Sequence, residues 1–172
     1  MKVYENFDSV SAVEEKKRLV PGGYVCKITS VSDVPEKEYL KLEYDIADGS
    51  FKGYWSDNEE NYGWRDLFIR SYKDKAIGFF KQFTNSIEQS NPGYFWKWDE
   101  KTLVGKLVGL VLGEEEYEKR DGSIGTRLRV SRVETVENIR SGNFSIPAKK
   151  TVTPSQKPSV EVSTDDLPFD FD

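Results

Sequence analysis

Four stretches of this chain alternate apolar and polar residues with a period of two, and a helical stripe lies between the third and the fourth. The first sets Tyr24, Cys26 and Ile28 against Lys27 and Thr29. The second sets Leu40, Leu42, Tyr44 and Ile46 against Tyr39, Lys41, Glu43 and Asp45, with the first group facing inward. The third sets Leu67 and Ile69 against an outward group of Trp64, Asp66, Phe68 and Arg70. The last sets Leu128 and Val130 against Arg127 and Arg129. Such alternation puts successive side chains on opposite faces of a strand. Asp74 is placed to cap a helix over 75–89, in which Ala76, Ile77, Phe80, Phe83 and Ile87 make one apolar stripe. Between helix and last strand, Leu103 to Leu112 is apolar with Gly105, Gly109 and Gly113 interleaved, as in a bent strand buried on both faces. Pro21-Gly22-Gly23, Asp48-Gly49, Asn91-Pro92-Gly93 and Arg120-Asp121-Gly122-Ser123 punctuate the pattern as turns.

The order is therefore three strands, one helix and a two-strand hairpin. It predicts a mainly β protein with one helix, arranged as an OB-fold: a five-stranded Greek-key barrel with its helix between strands three and four. At 172 residues the chain has room for one such domain over 20–147, preceded by an arm over 1–19 that includes a short helix from Ser11 to about Arg18.

Composition removes several functions. The chain has no histidine, which takes away the usual general base, most zinc sites and any Ser-His or Cys-His pair. Its one cysteine, Cys26, fits a reducing cytoplasm. No apolar run reaches the roughly twenty residues of a membrane span. The sequence also lacks a glycine-rich phosphate loop, and Asp57-Asn58-Glu59-Glu60 reads as an ordinary polar loop. The expectation is a protein that is not an enzyme and uses no metal or cofactor. The net charge of −5 divides unevenly: −3 over 1–140, +3 over 141–160 and −5 over 161–172.

The uneven charge marks the C-terminal region. Residues 148–160 are rich in Lys, Pro, Ser and Thr with no periodicity, and read as a flexible linker. Residues 161–172 then close on Asp165-Asp166-Leu167-Pro168-Phe169-Asp170-Phe171-Asp172. Apolar rings at the tip of a polar, disordered tail gain nothing from water, so they read as a peptide offered to a partner's pocket. An ordered body, a Pro/Ser/Thr/Lys linker and an acidic Asp-Asp-Leu-Pro-Phe tip resemble the bacterial and phage single-stranded-DNA-binding proteins. In that family the tip ends on its phenylalanine, whose carboxylate helps it dock. Here three residues follow Phe169, so the Asp170 side chain substitutes or Phe171 acts as the anchor. The stretch Leu103-Val104-Gly105-Lys106, with Gly113-Glu114-Glu115-Glu116-Tyr117, is also similar to small replication-module proteins of Gram-positive phages. The resemblance implies non-specific binding of single-stranded DNA, a homo-oligomer (dimer or tetramer), and replication, recombination or repair proteins as partners of the tip.

A sequence-tolerant single-strand binder needs rings to stack on bases and cations to hold phosphates. On an OB-fold these lie on the outward face of strands two and three and in the flanking loops. The residues expected there are Tyr39, Lys41, Trp64, Phe68 and Arg70, with Lys52, Tyr54 and Trp55 before the acidic loop and Arg127 and Arg129 on the last strand. Several have a packing alternative: Trp55 and Trp64 as caps on the core, and Tyr94, Trp96 and Trp98 under the connection to strand four. Glu114-Glu115-Glu116 reads as a solvated strand end that repels phosphate. The competing function is a replication-associated adaptor whose tail docks on a partner and whose body uses the aromatic face for protein contact, without binding DNA.

Overall fold

Each alternating segment is extended, and the strands hydrogen-bond into one antiparallel sheet. The structure, a computed structural model, describes residues 1–12, 18–57 and 66–152. Its strands are β1 (Gly22–Val34), β2 (Tyr39–Ile46), β3 (Asp66–Ser71), β4 (Leu107–Glu118) and β5 (Ile124–Glu134). A helix, α1 (Ile77–Ser90), lies between β3 and β4, and a short helix, α2 (Val136–Ser141), follows β5.

The sheet order is β3-β2-β1-β4-β5, so β3 and β5 are the two edges and the sheet is open. The long first strand serves two neighbours. Residues Gly22 to Lys27 pair with β4, and residues Cys26 to Val34 pair with β2. A register shift between Ile28 and Ser30 marks a bulge, which bends β1 where it passes from one partner to the other.

The core lies between the inner face of this bent sheet and α1. Ile28, Leu42, Tyr44, Ile46, Leu110, Leu112 and Val130 from the strands meet Phe80, Phe83 and Ile87 from the helix. The helical stripe was correctly read at Phe80, Phe83 and Ile87, whereas Ile77 is exposed. The helix begins later than its cap residue implied. Asp74 opens a 3-10 turn over Asp74–Ala76, and α1 starts at Ile77 with no side-chain cap. Asn91 ties the end of α1 to the start of β4: its side-chain amide donates to the carbonyls of Ile87 and Leu107, and its oxygen accepts from the Leu107 amide at 2.9 Å.

β4 is buried on both faces from Val108 to Gly113. Its second cover is α2 with the chain that follows. A Cβ added to Gly109 would fall 2.6 Å from Ile139 Cγ1, and one added to Gly113 would fall 2.7 Å from Pro147 Cγ. The glycines let the C-terminal segment lie flat against the strand. Beyond Leu112, β4 no longer pairs with β1, and Lys150 occupies the vacated side: its amide donates to Glu114 and its carbonyl accepts from Glu116.

Met1, Val3, Tyr4, Phe7 and Val10 of the N-terminal arm are exposed. The helix expected from Ser11 to Arg18 falls largely outside the described residues, as do the acidic tip from Asp165 through Phe171 and most of the linker. Among the described residues no helix is long and apolar enough to cross a membrane.

Candidate nucleic-acid interface

The cross-strand register fixes which predicted residues share a face. On β2, Tyr39 and Lys41 point away from the core, opposite Ser71 and Ile69 of β3. Lys41 is exposed and Tyr39 half-buried, as alternation predicted. On β3 the predicted phase is reversed. Phe68 pairs with Leu42 and Arg70 with Leu40, and both β3 residues are buried. The Phe68 ring packs between Tyr44 and Phe83, with centroids 5.9 and 6.1 Å away. The Arg70 guanidinium lies 5.3 Å from the Phe68 ring centroid, and its Nη1 donates to the Ile69 carbonyl at 3.1 Å. Phe68 is thus a core residue in this fold, and Arg70 is held over the core rings by cation–π contact. The outward residues of β3 are Leu67, Ile69 and Ser71.

Trp55 follows its packing alternative, and Tyr54, expected at the interface, packs with it. Their rings continue an edge-to-face series from Phe51 through Tyr54 and Trp55 to Tyr44, with centroids 6.1, 5.0 and 6.4 Å apart. Asp45 fixes this segment by accepting from the amides of Trp55 and Ser56. Lys52 is exposed in the same segment. Trp64 lies outside the described residues. Trp96 is half-buried against Phe80, whereas Trp98 stacks on Phe80 and leaves its other face exposed.

Arg127 and Arg129 are brought together with several residues that the sequence had not marked. Both lie on the outward face of β5. The register shifts opposite Val111 and Leu112, where Ser131 is the extra residue of β5. That bulge changes the phase of the strand. Val130 and Val133 consequently both face the core, and Arg132 falls on the same outward face as Arg127 and Arg129. A cleft of about 490 Å³ opens between the two sheet edges. Leu67 and Ile69 line it from β3, Arg127 and Arg129 from β5, Glu114 and Glu115 from β4, and Lys150 from the C-terminal segment. A smaller cavity of about 240 Å³ continues past Ser131 between Arg70, Phe79 and Arg132.

Charges within the cleft are coupled. Glu115 Oε1 accepts from Arg127 Nε at 2.6 Å and lies 3.4 Å from Arg129 Nε. The Arg127 guanidinium also sits 4.8 Å from the centroid of Tyr117. At the start of β3, the Tyr44 hydroxyl donates to Asp66. Burial raises the Asp66 carboxyl above its ordinary value, against the opposing pull of the Tyr44 hydrogen bond, the Leu67 amide and the nearby Arg129 and Arg127. Burial, chiefly, also pushes the Tyr44 hydroxyl well above the ordinary tyrosine value.

Tyr117, Arg132 and Lys150 were missed by sequence reading. The hairpin turn at Arg120-Asp121-Gly122-Ser123 contained the signal for the first: counting back from it pairs Tyr117 with Gly125 and Glu115 with Arg127. Arg132 was hidden by the bulge, which strict alternation ignores. Lys150 belonged to a region read as linker. No protein-family model matches this chain, and no curated protein matches it.

Proposed function

We propose that this chain binds single-stranded DNA with little sequence preference, across the outward surface of β2, β3 and β5. The observation that carries the reading is the alignment of Arg127, Arg129 and Arg132 beside the cleft at the β3 and β5 edges. Cations in a row, spaced along one strand, match a charged backbone better than a compact ligand. The half-buried Tyr39 and Tyr117 offer rings at either side of the same surface, and Lys41 adds a cation on β2. Contacts of this kind go to phosphates and base faces, which every sequence presents alike.

The fold reading that goes with it is an OB-type barrel left open at one seam. The sheet order has the two edges that pairing of β3 with β5 would join into a ring, and α1 sits between β3 and β4 as that architecture requires. The acidic-aromatic tip, Asp165 to Phe171, then recruits replication, recombination or repair proteins, and the protein works as a homo-oligomer without a cofactor.

The reading is tested with fluorescently labelled oligo-dT and the triple variant Arg127→Gln, Arg129→Gln, Arg132→Gln. The slope of log affinity against log salt should fall by roughly 0.7 for each phosphate that the variant no longer neutralises. An unchanged slope and affinity in the triple variant would remove these arginines from the binding surface.

A further inference from the structure

Glu115 stands inside the arginine row rather than apart from it. The turn at Asp121-Gly122 sets a register in which Glu115 is directly opposite Arg127 and diagonal to Arg129. Cross-strand neighbours at those positions are within reach of long side chains. One carboxylate oxygen, Oε1, meets both guanidinium groups, at 2.6 and 3.4 Å. Its side chain is 21% exposed, against 46% for Arg127 and 38% for Arg129. The acid is therefore at the floor of the cleft, with the cations nearer solvent. The neighbouring acids of the same run behave differently. Glu116 meets Lys149 at 3.7 Å and accepts from the Val152 amide, and Glu118 is exposed at the strand end. Residues 114, 116 and 118 alternate onto the other face of β4.

Resting on the single-strand reading above, we propose that Glu115 is a built-in phosphate surrogate that DNA must displace. In the free protein it keeps the guanidinium groups of Arg127 and Arg129 turned toward one anion position, with the Tyr117 ring backing Arg127. When a strand enters the cleft, a phosphate oxygen takes the place of Glu115 Oε1. The released carboxylate then turns to solvent and gathers a counter-cation. This makes binding weaker and less salt-dependent than the arginine count alone implies, because part of the ion release at the arginines is cancelled at Glu115. The surrogate also opposes occupation of the cleft by small anions that touch only one cation, since a single weak interaction cannot match the pair already present. The expectation that the acidic run merely repels phosphate thus applies to Glu114 and Glu116 but not to Glu115.

The test compares Glu115→Gln with Glu118→Gln, which removes the same charge from the other face of the same strand. Each is titrated with oligo-dT at several salt concentrations, with thermal melting to establish that both are folded. Glu115→Gln should bind about fivefold more tightly at low salt, in line with the worth of an exposed ion pair. Its salt slope should steepen by roughly 0.7, one extra net phosphate neutralised. Glu118→Gln should stay within about twofold of the parent with an unchanged slope, as expected for an exposed charge outside the cleft. If the two variants move together, or if Glu115→Gln does not tighten binding, the surrogate role is wrong. If the parent and both variants all fail to bind, the single-strand reading itself has failed.

Discussion

The Tyr44 and Asp66 pair gives the stability of the fold one pH-dependent contribution. Asp66 keeps its proton more readily in the folded chain than in the unfolded one, because burial outweighs its hydrogen bonds and the nearby arginines. Its contribution to stability is then greatest below the unfolded carboxylate value, about 3.9. It declines as pH rises through the folded value, since the unfolded chain releases that proton first. Asp66→Asn keeps an acceptor for Tyr44 and removes the buried charge. The melting temperature of the variant should exceed that of the parent by a margin that grows between about pH 4 and pH 7; a constant or shrinking margin would show that Asp66 is not the group responsible. The neighbouring strands show why single-residue placement was only partly legible. Leu40, Leu42, Tyr44 and Ile46 give four consistent inward positions on β2, and alternation read them correctly. On β3, with six residues, each face has apolar candidates, and Arg70 made the Phe68 face look solvated. Arg70 is buried because its guanidinium lies over the Phe68 and Phe83 rings, an arrangement that hydropathy along the chain cannot express.

At the scale of elements, the glycines of β4 were legible as a strand buried on both faces, but the cover on the second face was not. α2 has six residues, too few to show a period, and its signals were local: the Thr135 hydroxyl accepts from the Asn138 amide, and Gly142 adopts φ 73° at the C-terminal cap. The fit of α2 on β4 makes a direct prediction. A Cβ at position 109 would fall 2.6 Å from Ile139 Cγ1 of α2, and 2.7 and 2.8 Å from the Thr135 and Glu134 carbonyls, backbone at the β5–α2 junction that can give way only if that junction shifts. Gly109→Ala should destabilise the fold by about 1–3 kcal/mol in denaturant unfolding, the usual cost of overpacking. Gly78→Ala is the contrast, because a Cβ there meets nothing within 4 Å. It should stabilise by about 0.5–1 kcal/mol through helix propensity alone. Equal effects at the two positions would mean that α2 is not seated on β4 as described. The bulge at Ser131 belongs to the same scale. One extra residue rotates the end of β5 so that Arg132 joins Arg127 and Arg129, and a strictly alternating strand would have turned Arg132 toward the core.

For the whole molecule, the succession of strands, the helix placement and three of the four turns were legible in the alternation and its breaks. Gly22 and Gly23, read as a turn, instead begin β1 and pair with Leu112 and Val111. The relation between the two sheet edges was not legible, since nothing in either edge strand states how near the other lies. That relation creates the cleft and places Lys150, from a region read as linker, beside the β4–β5 hairpin. The body has a net charge of −3 over residues 1–140, so attraction to a polyanion has to come from the local field of the arginine row. The most direct measurement is a titration of fluorescently labelled oligo-dT, and of a labelled duplex of matched length, with the full chain, followed by anisotropy over a series of salt concentrations. The expected result is binding of oligo-dT, with an affinity whose logarithm falls linearly with log salt by about 0.7 per phosphate neutralised, and weaker binding of the duplex. Absence of binding to oligo-dT at low salt would contradict it, and the aromatic and cationic surface would then belong to a protein partner.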